Sequence, residues 1–171
     1  MVIAETSRLQ LAKVTLADAS FFVKLMNSPH WIKYIGDRNI GSVKDAKSYL
    51  KKTILKSYSE NGYGFFKVLL KSAPSTIIGI SGLVKREELE IPDIGFGFLP
   101  EYEGRGYGYE SASAVLDLAK NRFHIEEIGA ICMDINKNSI RLIEKLGLKF
   151  QKKVKPFDDD EELLLFVKKL N

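Results

Sequence analysis

A single cysteine, a single tryptophan and two histidines are all the chain has of those types in 171 residues. With Cys132 alone no intrachain disulfide can form. Cys132 sits in an apolar strand pattern, Ile128 to Met133, and reads as a small buried hydrophobe rather than a nucleophile. His30 follows a turn proline and His124 ends a helix; without a Cys/His ligand spacing, no metal site is expected. No apolar run approaches the roughly 20 residues needed to span a bilayer. Met1 to Arg8 lacks the charged-then-apolar pattern of a secretory signal. A strong charge bias is missing too: the net charge of +4 is mild, and Lys and Arg are scattered rather than gathered in a stripe. The acidic run Asp158 to Glu162 reads as solvated surface. A cytoplasmic protein follows as the expectation, with neither nucleic acid nor membrane as partner.

What is present suffices for one well-filled core. No repeat, low-complexity linker or composition break divides the chain, so residues 1–171 are expected to form a single α/β domain with a mixed sheet. Arg8 to Val14 alternates and predicts the first strand. Thr15 and Asp18 form a capping-box variant that opens a helix to about Asn27, ended by Ser28 and Pro29. His30 to Gly41 predicts a loop holding Trp31, Tyr34 and Ile35. Ser42 and Asp45 open a second helix to about Ser59. Phe65 to Lys71, Ser75 to Val84 and Pro92 to Leu99 predict an antiparallel meander. Gly95 and Gly97 in its last strand mark a bulge or a close approach by another group. Further on, a helix to about Arg122, a strand from Glu126 to Met133, a short helix capped by Asn136, and strands Leu148 to Val154 and Leu163 to Lys169 complete the pattern.

Between the meander and the longest helix, Gly104, Gly106 and Gly108 fall at every second position. Glycine there permits positive φ and close backbone approach, and the helix start adds unpaired N–H groups and a positive dipole end. The combination suits phosphate. A dinucleotide fingerprint does not fit: its last slot falls on Tyr109 or Ser111. A nucleoside-triphosphate loop needs Gly-Lys followed by Ser or Thr, which does not occur. A bare helix start with structural glycines remains open on the pattern alone.

Glu103-Gly104-Arg105-Gly106-Tyr107-Gly108 resembles the Q/R-x-x-G-x-G/A loop of the GNAT N-acetyltransferase superfamily. Wider matches keep order and spacing over nearly the full length. They include Glu5 to Leu9, Asp18-Ala19, Tyr34 to Asp37, Ile78 to Leu83, Pro92 to Gly95, Gly106 to Glu110, Asn136-x-x-Ser139 and Glu144 to Gly147. These are similar to the ribosomal-protein-alanine acetyltransferase, RimJ/RimL-like, branch. The resemblance implies a mixed, mostly antiparallel sheet of about seven strands flanked by four helices, with a splayed strand pair holding the cofactor. It implies acetyl-CoA (coenzyme A) as that cofactor, bound by Phe98, Leu99, Glu103, Gly104, Arg105, Gly106, Tyr107, Gly108 and Asn136. It also implies an oxyanion donor among the N–H groups near Leu99.

The loop departs from the family at Glu103, where Gln or Arg is usual. A carboxylate aimed at phosphates would repel them, so its side chain is expected to turn outward and cap the helix, with Arg105 as a nearby cation. The tyrosine acid of many members is absent; its aligned position is Ile143. Ser139 is the candidate replacement, the alternative being that it only completes the cap begun at Asn136. Asp93 is a candidate base, beside Glu103 and the acidic run. Trp31, Tyr34 and the segment Tyr63 to Phe66, Phe65 included, are expected to shape the acceptor pocket.

The implied activity is N-acetyl transfer to a primary amine by direct attack on the thioester. At neutral pH roughly a tenth of an α-amine is unprotonated, against well under a thousandth of a lysine amine. That favours a protein or peptide N-terminus as acceptor. A small amine (polyamine, amino acid or aminoglycoside) is the first alternative, and a catalytically silent acyl-CoA-binding module the second. A monomer or a homodimer is equally compatible with the sequence.

Overall fold

Period-two burial forms the strand Leu9–Lys13, whose Leu9 and Leu11 are fully out of solvent. The computed structural model describes residues 1–159 and 161–171; Asp160, part of the acidic run, lies outside them. The strands are β1 (Val2–Glu5), β2 (Leu9–Lys13), β3 (Phe65–Leu70), β4 (Ala73–Val84), β5 (Asp93–Phe98), β6 (Glu127–Cys132), β7 (Lys149–Val154) and β8 (Leu163–Lys169). They form one eight-stranded sheet in the order β1-β2-β3-β4-β5-β6-β8-β7. Every pairing is antiparallel except that of β5 with β6. The fold class is the expected one, with β1 as the added strand. Val2 to Ala4 shows no alternation to announce it, but Ile3 and Ala4 pack on the core.

The helices among the described residues are α1 (Ala19–Met26), α2 (Pro29–Tyr34), α3 (Val43–Lys52), α4 (Ile54–Asn61), α5 (Tyr107–Asn121) and α6 (Lys137–Lys145). Thr15 and Asp18 make the capping box, with Asp18 Oδ2 accepting from Thr15 N–H at 2.8 Å; a single 3-10 turn then leads into α1. Two departures raise the helix count. The stretch expected as a loop after Ser28 is α2, because Pro29 ends α1 and, with φ already set, serves as the first residue of the next helix. The Lys-rich helix breaks at Thr53 (φ −120°, ψ −84°), whose hydroxyl donates back to Tyr49 O at 2.7 Å.

Each sheet face carries its own core. Leu11, Phe66, Ile78, Ile94, Val115 and Ile143 belong to the side covered by α5 and α6. Phe22, Leu25, Trp31, Leu50, Ile80 and Leu99 belong to the side covered by α1, α2 and α3. Cys132 is buried, and burial pushes its thiol up to about 11, a poor nucleophile. No helix among the described residues is long and apolar enough to cross a membrane.

The parallel pair is the anomaly that matters. β5 and β6 meet at one position, Asp93 opposite Gly129, where Gly129 N–H donates to Pro92 O at 2.9 Å. Beyond it the two strands part.

Candidate functional site

The Gly-rich loop begins where β5 ends, after a 3-10 turn over Pro100–Tyr102. Gly104 (φ 72°) and Gly106 (φ 84°) are left-handed, a conformation strained for any other L-residue. Gly108 serves packing instead: a Cβ there would stand 2.8 Å from Leu142 Cδ1 on α6. Gly106 is the N-cap of α5, and no side chain caps that end. The first-turn N–H groups are therefore left for another acceptor. Nothing lies within 4 Å of where a Gly104 Cβ would point. An uncapped helix start behind a glycine cradle fits a pyrophosphate.

The turn between β1 and β2 braces this loop from behind. Arg8 Nη1 donates to Arg105 O at 3.1 Å and Nε to Glu110 Oε1 at 2.8 Å. Its guanidinium lies 4.4 Å from the Tyr107 ring centroid. Glu110 Oε2 also accepts from Arg8 N–H at 2.9 Å and from Thr6 Oγ1 at 2.5 Å. Burial raises the Glu110 pKa, but the hydrogen bonds from Thr6 and Arg8 outweigh it and hold the carboxyl below its ordinary value.

The register of β4 on β5 decides which main-chain groups are free. Leu99 N–H donates to Ile78 O at 3.0 Å, and Gly97, Gly95 and Asp93 pair in the same sense with Ile80, Gly82 and Val84. Leu99 is thus removed as the oxyanion donor and as a cofactor contact: its N–H is committed to β4 and its side chain is buried in the opposite core. Alternation turns the main-chain groups of Phe96 and Phe98 to the other edge, where β6 has diverged. A cleft of about 1210 Å³ follows this gap and continues to the far face of the sheet. Phe98, Ile131, Cys132, Asn136, Ser139 and Leu142 line the gap. Asn136 Oδ1 accepts from Ser139 N–H at 3.3 Å and caps α6, while Ser139 is half-buried against the cleft.

On the far face the close approach at Gly95 and Gly97 is made by two aromatic rings. A Cβ on Gly97 would lie 2.7 Å from Trp31, and one on Gly95 would lie 2.9 Å from Phe65. Trp31, Tyr34 and Phe65 all line the cleft there. Tyr63 and Phe66 do not; they sit in the α5-side core, with Tyr63 5.5 Å from Phe123, so only Gly64 and Phe65 of that segment reach the pocket. Asp93, 2% exposed, lines the cleft and binds Arg86 Nε at 3.0 Å. Burial pushes its carboxyl up to about 6 from 3.8, more than Arg86 recovers by charge and hydrogen bonding.

Glu103 does not cap α5. Its Oε2 lies 2.6 Å from Nδ1 of His30 on α2. Sequence reasoning weighed His30 and set it aside, and it did not single out Arg8, Thr6, Glu110 or Arg86, although Thr6, Arg8 and Glu110 fall within matched motifs. A pairing between residues about a hundred positions apart leaves no local pattern to find.

The family model described as acetyltransferase (GNAT) domain matches residues 8–149. YoaA, an uncharacterized N-acetyltransferase of Bacillus subtilis (strain 168), is 29% identical over 153 residues, covering 88% of this chain and 83% of that protein. Ribosomal-protein-S5-alanine acetyltransferase from Vibrio fischeri superposes with a TM-score of 0.83 at 17% identity, covering 100% of this chain and 97% of the other. A chimeric spermidine N-acetyltransferase, SpeG, from Vibrio cholerae and hSSAT gives 0.78 at 16% identity, with 96% of each chain covered. At such identities the two structural likenesses are of fold alone.

Proposed function

The chain belongs to the acetyltransferase (GNAT) domain family, and from that premise we propose that it acetylates the N-terminal α-amine of a protein or peptide. It is an acyltransferase and uses acetyl-CoA. The observation that carries acyl transfer at this cleft is the junction of an open strand edge, Phe96 and Phe98, with the left-handed glycines and the uncapped start of α5; the choice of an α-amine rests on the amines' pKa values. Within the family we group it with the ribosomal-protein-alanine branch, on the order and spacing of the motifs from Glu5-Thr6-Ser7-Arg8-Leu9 to Glu144-Lys145-Leu146-Gly147.

Bound acetyl-CoA supplies the activated acetyl thioester. The main chain of Gly104, Arg105, Gly106, Tyr107 and Gly108 holds the pyrophosphate. Phe96 and Phe98 present amides along the gap, and the Phe98 N–H is the donor for a developing oxyanion. The Ser139 hydroxyl faces the same gap as proton donor, with Asn136 ordering the turn that carries it. Trp31, Tyr34 and Phe65 wall the acceptor end.

We assign Asp93 as the base; the preference for an α-amine comes from the amines' own pKa values and would be the same for any base. Moving a proton from an α-ammonium to a carboxyl at about 6 is uphill by about two units, roughly 3 kcal/mol; from a lysine it is over four units, roughly 6 kcal/mol. Phe98 lies five residues further along β5, roughly 17 Å at 3.4 Å per residue. The assignment of Asp93 as base therefore requires a relay of several cleft waters between the two, since direct transfer is out of reach. The acceptor end carries Arg38, Lys52, Lys56, Lys85 and Arg86 beside Glu60, Glu87, Asp93, Asp159 and Glu161. A polycation would meet as many cations as carboxylates there, whereas a peptide bearing one amine needs no acidic mouth.

Incubation with acetyl-CoA and a panel of peptides, polyamines, amino acids and aminoglycosides, followed by CoA release, tests the acceptor class. Turnover is expected on free peptide N-termini and is lost when they are blocked. Efficient turnover of small amines alone would reverse the assignment.

A further inference from the structure

Three carboxylates surround the Gly-rich loop, and each is held by a partner from another element. Glu101 lies 3.5 Å from Lys24 Nζ on α1. Glu110 takes Thr6 and Arg8. Glu103, next to Gly104 in sequence, is 2.6 Å from His30 Nδ1 on α2. Of the three it is the one in the loop itself. A free carboxylate about 6 Å from a bound phosphate charge would weaken binding roughly threefold even in water, and further where solvent is partly excluded. Arg105 makes no salt bridge with Glu103 among the described residues: its guanidinium stands 5.8 Å from the Tyr102 ring centroid, and the Glu103 carboxylate meets His30 instead. The position of His30 is set independently, since the adjacent Trp31 seats α2 on Gly97 of β5.

We infer that His30 is a positioning residue for the cofactor loop: it pairs with Glu103, turns that carboxylate away from the pyrophosphate-binding main chain, and so makes a glutamate tolerable where an anion must bind. The inference rests on the reading of Glu103 to Gly108 as the pyrophosphate loop. The side chains of His30 and Glu103 are 55% and 34% exposed, so the pair contributes little to folding and its effect falls on the ligand.

The test is a double-variant cycle on acetyl-CoA affinity, read by titration calorimetry, with melting curves to establish that each variant is folded. His30→Ala is expected to weaken binding about three- to tenfold, and the loss should shrink as NaCl is raised. Adding Glu103→Gln to His30→Ala should return affinity to that of Glu103→Gln alone. Wild-type affinity in His30→Ala, or a double variant as weak as His30→Ala, overturns the inference, the latter by showing that His30 acts through packing. Gly106→Val separates the two levels. If it binds acetyl-CoA as tightly as wild type, the loop reading fails and the inference with it. If it loses binding while His30→Ala does not, the inference alone falls.

Discussion

Asp93 shows how far a residue's chemistry can move from its ordinary value without leaving its strand. Burial lifts its carboxyl to about 6, and Arg86 recovers part of the shift. Only the ionised form can accept a proton, so kcat/KM is expected to rise with pH through about 6 and to lose that acidic limb in Asp93→Asn. An unchanged limb in the variant would assign the base elsewhere. The same shift has a stability consequence. Between 3.8 and about 6 the folded state binds the Asp93 proton more tightly than the unfolded chain does. Stability therefore falls as pH rises through that window, by up to about 3 kcal/mol. Denaturant unfolding at pH 4 and pH 7 should show this decline in the wild type and a flatter dependence in Asp93→Asn.

At the level of elements, α2 and β5 form one working unit. Trp31 packs against Gly97, so α2 is seated by the absence of a side chain on the strand. Gly97→Val would place a Cβ 2.7 Å from the indole, and the helix must lift. As Trp31 is the sole tryptophan, its emission reports the event directly. A red shift is expected, together with a rise of about tenfold in KM for the acceptor and a smaller change in acetyl-CoA affinity. Unchanged emission would mean that α2 is seated by other contacts. The sequence marked Gly97 as a point of close approach. It did not reveal what approaches, because Pro29 reads equally as the end of one helix and the start of the next.

Across the whole molecule the sheet divides two cores, and the parting of β5 from β6 opens a cleft that passes from one face to the other. A ligand that bridges the divided edge stabilises the native state alone. At about a hundredfold excess over its Kd, acetyl-CoA should add about 2.7 kcal/mol and raise the melting temperature by roughly 5–10 °C. In Gly106→Val, whose new side chain would be strained at φ 84° and 3.2 Å from Arg8 Nη2, the rise should vanish while the cooperative transition remains. Differential scanning fluorimetry with and without acetyl-CoA measures both. A full rise in the variant would move the cofactor away from this loop.

The strands from β2 onward, helix α5, the Thr15 and Ser42 caps and the glycine loop are all legible in the sequence, because period, caps and turn residues act over a few neighbouring positions. The partners are not legible. His30 and Glu103 are 73 positions apart, and Arg8 and Glu110 are 102 apart, so only the closed sheet brings them together. Register withdrew the Leu99 N–H and freed that of Phe98, a difference of one residue that alternation magnifies into opposite edges of a strand. Burial set the Asp93 carboxyl near 6, which no local pattern encodes, because desolvation depends on everything packed around the group. The local code thus placed the loop. Tertiary structure decided which charges surround it and which carboxyl is buried in the cleft.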